Sequence, residues 1–386
     1  MNDVSVIEKE FGSLKRYRDC PKWWLATPKL ASKLIKGLKK ADVKRIGKSA
    51  GGHEIIAIAY GAREGTGATN DNLQSSLAAT VTDPDPTSIF PETFYGASRR
   101  SRPVVALQGD IHGGEITGTV ASLNLCSVIE TGKDLRGRKW GRLRELARAS
   151  RVLIIPWLNP DGAYRWPLPN PSGAPIDLYT RCLQGVTKDG QALAYLEAKS
   201  TFPLSPKKMA FLGCYYNDNG VNLQYDFCRP HRQPETVAWM EYYQAERPDG
   251  VVNWHCNAGT MMGPPEYYLP PGFQHELSRL AGAVRGRIAR DGIRTGRLSW
   301  AGLPGLGKPV LDQSTAIYHV CGGVPILCEL PSGTANAPYT PDEMLDIGLV
   351  AIEEVLAYAH SDGLRPYEYW EKVKARMGKR PSRTKG

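Results

Sequence analysis

The sequence lacks any long hydrophobic run at its start: Met1 to Cys20 carry Asp3, Glu8, Lys9 and Glu10 and no apolar stretch of signal-peptide length. A membrane span needs about 20 predominantly apolar residues in succession, and a signal peptide an apolar centre of about 7–15. Neither reading applies, and the chain is expected to be soluble and cytoplasmic. It also lacks a C-x-x-C pair. Its eight cysteines, at 20, 126, 182, 214, 228, 256, 321 and 328, are scattered, and several fall inside apolar runs. They read as reduced, mostly buried thiols. Aromatic residues interleaved with basic ones are missing too, although the formal net charge is +10. The excess lies around Lys33 to Lys48, Arg99 to Arg102, Arg136 to Arg151 and Lys372 to Lys385. Such runs read as solvated faces and a disordered basic tail over 376–386, so neither nucleic acid nor a membrane is expected as a partner. No internal repeat is present, which excludes a solenoid.

What is present suits a large core. With 386 residues and 41% hydrophobic side chains, one catalytic domain over 1–375 is expected. Glu54 to Tyr60 alternates as a strand does. Val104 to Leu107, Val152 to Ile155, Val251 to Trp254 and Val324 to Leu330 are short apolar runs of the kind buried on both faces. Helical patterns lie between them, at Ile116 to Ile129 and Pro234 to Ala245. The final helix is best signalled: Thr340 caps, Pro341 suits the first turn, Glu343 completes a capping box, and Leu345, Leu349, Ile352 and Leu356 form one stripe before Gly363. Alternating strands and helices predict an α/β fold, a mixed, mostly parallel sheet covered by helices on both faces. Two polar segments, 63–103 and 164–219, predict long loops.

Between Gly109 and Gly118 the chain reads G-D-I-H-G-G-E-I-T-G, and V-V-N-W-H ends in a second histidine. His112 and Glu115 fall on one turn, where the short Gly113-Gly114 link lets both side chains address one ion, and His255 supplies a distant third ligand. Three protein ligands leave one tetrahedral position open, the pattern of a catalytic rather than structural zinc. His112, Asn159 and His255 each follow a predicted strand and Glu329 ends one, which is where ligand sites of open α/β sheets collect.

Read in order, the chain gives I-G-K-S-A-G-G-H-E-I (46–55), G-D-I-H-G-G-E (109–115), N-P-D-G (159–162), G-V-N-L-Q-Y-D-F (220–227), P-E-T (234–236), H-C-N (255–257), I-Y-H-V-C-G-G (317–323) and C-E-L-P-S-G (328–333). This series resembles the zinc metallocarboxypeptidase family of carboxypeptidase A. The resemblance implies a single Zn2+ held by His112, Glu115 and His255, with Glu329 as general base and Tyr318 as the mobile tyrosine that closes over substrate. It also implies an arginine that steadies the oxyanion, for which Arg165 and Arg181 are candidates.

The chain departs from the family at 222–225. Where the family shows D-L-N-R-N-F, this sequence has N-L-Q-Y-D-F, so Gln224 and Tyr225 stand in place of the asparagine-arginine pair that grips a substrate's terminal carboxylate. Neither an amide nor a phenol reproduces the two parallel hydrogen bonds of a guanidinium. Arg229 and Arg232 are candidates for the missing charge, and Asn222 replaces the aspartate that orients the first zinc histidine. Three functions follow. One is a carboxypeptidase-like metallopeptidase. Another is a zinc amidase or deacylase on acylated amino acids or cell-wall peptides, and the last a catalytically weak peptide-binding relative.

Overall fold

Among the described residues nine short strands carry the architecture: β1 (Asp42–Lys48), β2 (Glu54–Tyr60), β3 (Val104–Gln108), β4 (Arg151–Ile155), β5 (Gly185–Thr187), β6 (Met209–Leu212), β7 (Gly250–Asn257), β8 (Met261–Met262) and β9 (Val324–Pro331). They belong to a computed structural model that describes residues 3–65, 100–194, 203–257, 261–262, 271–294, 312–361 and 364. The expected basic tail, most of the 63–103 loop and residues 195–202 of the second long loop lie outside the described residues.

Seven strands form one sheet in the order β1-β2-β4-β3-β7-β9-β8, and β5 pairs separately with β6. The four central strands β4, β3, β7 and β9 run parallel, and β1, β2 and β8 add antiparallel margins. This is the expected mixed sheet with a parallel centre. Side chains alternate across it. Val105, Leu107, Val152, Ile154, Val252 and Trp254 join one apolar core; Val104, Ala106, Leu153, Ile155 and Val251 join a second. Both faces are therefore dry, which explains why these strands read as continuous apolar runs.

Helices close both faces. In chain order they are α1 (Ser5–Phe11), α2 (Pro28–Gly37), α3 (Thr117–Thr131), α4 (Gly141–Ala149), α5 (Pro160–Arg165), α6 (Ile176–Gln184), α7 (Pro234–Glu246), α8 (Pro271–Arg290), α9 (Gln313–Cys321) and α10 (Pro341–His360). Helices α3, α4, α8 and α10 pack together over the first core, and α7 and α9 over the second. The capping box of α10 forms as expected: Thr340 Oγ1 accepts from the Glu343 N–H at 3.2 Å, and Glu343 Oε2 accepts from the Thr340 N–H at 2.8 Å. None of the described helices is long and apolar enough to cross a membrane. The basic stretch around Lys33 to Lys48 divides into the end of α2 and the edge strand β1, most of which is exposed. Charge on an edge strand discourages pairing with another chain.

One buried acid ties the margin of the sheet to the loops beneath the parallel strands. Glu235 opens α7 and accepts from the Ala50 N–H at 2.9 Å and from Asn217 Nδ2 at 3.2 Å. Burial pushes its carboxyl up to about 7, against the opposing pull of those donors and with a further push from Asp161. A carboxyl raised in the folded state stabilises fully below the unfolded value near 4.5 and loses that contribution as pH rises through about 7. Glu235→Gln keeps a carbonyl acceptor and carries no charge. It is expected to flatten stability between pH 5 and pH 8 and to exceed the parent at pH 8, by on the order of 3 kcal/mol at about 1.4 kcal/mol per pH unit. Urea denaturation across that range measures it; a slope unchanged from the parent would contradict it.

Candidate metal centre and its cavity

Because β3, β4, β7 and β9 are parallel, their carboxyl ends open on the same edge of the sheet, and the loops leaving them meet there. After β3 the chain is stitched to the exit of β4. The Gly109 N–H donates to Ile155 O at 2.9 Å, and the Leu158 and Asn159 N–H groups donate to Gly109 O and Asp110 O at 2.9 and 3.0 Å. Asp110 takes a positive φ of 49° at the corner. The next turn is closed by the Glu115 N–H on His112 O at 3.0 Å, which brings the two side chains three residues apart onto one side. N-P-D-G opens a helix: Asn159 Oδ1 accepts from the Gly162 N–H at 3.0 Å and caps α5. The backbone of that helix then presses against Gly113.

The third residue comes from β7, whose Trp254 points into the first core while His255 turns to the other face. Nδ1 of His112 and Nδ1 of His255 both approach Glu115 Oε2, at 3.1 and 2.8 Å. The three ligand atoms lie within 4.8 Å of one another, and all three residues are buried. The His112 ring also packs on Tyr215, with centroids 4.1 Å apart. Burial alone would raise the Glu115 carboxyl, but the two imidazoles outweigh it and hold the group below the usual carboxylate range. Burial likewise pulls His255 down, and the charge and hydrogen bond of Glu115 reverse the sign. His255 Nε2 is buried with no hydrogen-bond partner among the described residues. Two imidazole nitrogens and one carboxylate oxygen converging in a buried site suit a borderline-soft divalent ion, and these residues fit zinc.

A cavity of about 530 Å³ opens beside this cluster. It brings together six of the residues singled out from sequence: His112, Glu115, His255, Gln224, Tyr225 and Glu329. Glu329 is the register partner of His255 across the β7–β9 pair. Cross-strand partners in a parallel pair project from one face, with their backbones about 4.8 Å apart.

Three expected residues are placed elsewhere. Tyr318 sits within α9, 6% exposed in the first core, with its ring edge-on to His319 and centroids 5.2 Å apart. The residues around it form a regular helix that Gly322 closes by donating to Tyr318 O, and a side chain packed this way does not line the cavity. Arg181 lies on α6 but points to the amino-terminal helix, pairing with Glu10 at 2.9 Å and lying over the Phe11 ring. Arg229 follows the turn at 223–225, its N–H on Asp226 O at 3.1 Å, and lies outside the cavity lining. Arg165 is committed to Asp218 and the Tyr216 carbonyl, and Arg232 to the Phe227 carbonyl. Among the described residues no lysine or arginine lines the cavity. Sequence reasoning passed over Asp312, Gln184 and Asn336, which do. Asp312 carried a usable signal, an N-cap aspartate ahead of an apolar stretch.

Comparison with known proteins agrees with this geometry. Residues 38–168, which include His112 and Glu115, match the family model described as zinc carboxypeptidase. No protein of curated function matches the sequence. Among solved structures, the metallo-carboxypeptidase from Burkholderia cenocepacia is similar at TM-score 0.53 and 14% identity, over 86% of this chain and 70% of that one. The metallo-carboxypeptidase from Pseudomonas aeruginosa, in complex with (2-guanidinoethylmercapto)succinic acid, is similar at TM-score 0.52 and 13% identity, over 87% and 69%. Bovine thrombin-activatable fibrinolysis inhibitor in complex with tick carboxypeptidase inhibitor is similar at TM-score 0.51 and 10% identity, over 90% and 100%. In its fold, and in the sequence of residues 38–168, the chain is similar to the zinc carboxypeptidases.

Proposed function

We propose that the protein is a zinc-dependent hydrolase of peptide or related amide bonds. The observation that carries this reading is the convergence of His112, Glu115 and His255 at the carboxyl edge of the sheet, with Glu329 one strand away in register and facing the same cavity. A zinc ion held by those three residues supplies Lewis acidity toward the scissile carbonyl and toward water. The chain's own groups do the rest. The Glu329 carboxylate accepts a proton from the attacking water as its oxygen bonds to the carbonyl carbon. It then returns that proton to the amine nitrogen as the C–N bond breaks. Tyr225 and Gln224 line the cavity where they can contact the substrate beyond the scissile bond.

A second reading is favoured by one observation. The residues standing in place of a carboxylate-gripping pair are uncharged, and the described cavity wall holds Glu115, Asp312 and Glu329 without a lysine or arginine. Such a wall suits an amidase or deacylase whose substrate carries no terminal carboxylate. Both readings predict that a metal-free preparation hydrolyses nothing and that added zinc restores turnover, on N-acylated dipeptides under the first and on acyl-amino-acid amides under the second, followed by amine release. Stoichiometric zinc without turnover on a broad panel of both substrate classes would retire the hydrolase reading in favour of a binding relative.

A further inference from the structure

Position 224 lies in the 3-10 turn Leu223–Tyr225, fixed by the Gln224 N–H donating to Asn222 Oδ1 at 3.1 Å. Its side chain is 4% exposed and lines the cavity. Gln224 Nε2 donates to Asp312 Oδ2 at 2.8 Å. Asp312 is itself immobilised, because Oδ1 caps α9 by accepting the N–H groups of Ser314 and Thr315 at 2.8 and 3.4 Å. A carboxylate only accepts hydrogen bonds, so the amide has one orientation: its NH2 faces Asp312, and its oxygen does not. That oxygen, Oε1, is buried with no hydrogen-bond partner among the described residues. A buried acceptor left unsatisfied costs free energy that a donor from a ligand would recover.

We propose that the Gln224–Asp312 pair inverts the polarity of this wall, so that the cavity takes a substrate presenting an amide N–H where a terminal carboxylate would otherwise lie. The substrate class is then a carboxamide-terminated or internal peptide bond. A free carboxylate meets three disadvantages here: it has no proton for Oε1, it approaches the negative charge of Asp312, and it approaches Glu329 on the same cavity. The inference rests on the hydrolase reading for its substrate class, but the pair's preference for a donor is a binding property and is separable from turnover.

The test uses matched pools of N-acetyl dipeptides, one of free acids and one of primary amides. Binding to full-length, zinc-loaded Glu329→Gln protein is read by equilibrium dialysis and mass spectrometry, and hydrolysis by wild type separately. Amides are expected to bind on the order of tenfold or more tighter than the matched acids. Adding Asp312→Asn keeps a capping oxygen but turns an N–H toward Gln224, which forces the amide to flip and present its NH2 to the cavity; the amide preference should vanish or reverse. Combining Gln224→Leu with Asp312→Asn, which keeps a capping oxygen and removes the charge, should bring the ratio to one or below. An amide preference that both substitutions erase, with no hydrolysis by wild type, supports the inference and defeats the hydrolase reading. Equal binding of acids and amides, binding of neither, or a preference that survives both substitutions overturns the inference.

Discussion

Replacing Glu329 by glutamine is expected to lower kcat/KM on the order of 10³-fold while leaving one zinc per chain. Glutamine has nearly the same shape and keeps an acceptor, but it cannot take a proton from water and hand it to a departing amine, a service worth roughly 10²–10⁴ in rate. Metal retention follows from the geometry, since Glu329 is outside the group of atoms that converges on a single point. Inductively coupled plasma mass spectrometry for zinc, alongside steady-state kinetics at several pH values, separates lost proton transfer from lost metal. A variant that turns over at the parental rate would remove Glu329 from the mechanism; one that loses both activity and zinc would make it structural.

Gly113→Ala should damage both the fold and the metal centre. The residue sits between His112 and Glu115, and an added Cβ would lie 2.2 Å from the Gly162 carbonyl carbon, 2.3 Å from Ala163 N and 2.6 Å from Gly162 Cα. All three obstacles are backbone, so no rotamer change relieves them. Its own N–H is also bonded to Cys214 O at 2.9 Å, which holds the loop from the other side. Overpacking of this kind costs on the order of 3 kcal/mol, more where neighbours cannot yield. The displacement falls on two ligands at once, so zinc affinity should drop with stability. Gly141→Ala is the control: among the described residues nothing lies within 4 Å of its added Cβ, and its effect should stay within about 0.5 kcal/mol. Urea denaturation and zinc competition with a chromophoric chelator read both quantities. Parental stability and affinity in Gly113→Ala would show that the loop has slack.

The Gly113 result also bears on what the sequence made legible. The glycines of H-G-G-E were expected to let two side chains address one ion. Their positions have no positive φ, and a further reason for Gly113 is contact with α5, which begins at N-P-D-G. The convergence of His112, Glu115 and His255 was readable because a three-residue spacing and a strand-end histidine are local patterns. Glu54 to Tyr60 was readable for its alternation, and the α10 start for its capping box. The partner of Gln224 lies 88 residues away in Asp312, and no local pattern announces such a pair. Tyr318 and Arg181 lie off the cavity lining for a related reason: composition and order place a residue near a motif, but helix phase decides which side it faces. In α6, Gln184 lines the cavity while Arg181, three positions earlier, reaches α1.

The pairing of His255 with Glu329 has one more implication. The eight-rung ladder from Gly250–Val324 to Asn257–Pro331 is unbroken, and side chains in a strand change sides at every step. Sliding one strand past the other by a single residue would therefore send Glu329 to the dry underside and bring Cys328 or Leu330 opposite His255. Any insertion or deletion that evolution or an engineer introduces between residues 257 and 324 must be absorbed before the last strand begins, because the distance between acid and ligand is written in backbone hydrogen bonds rather than in loop length.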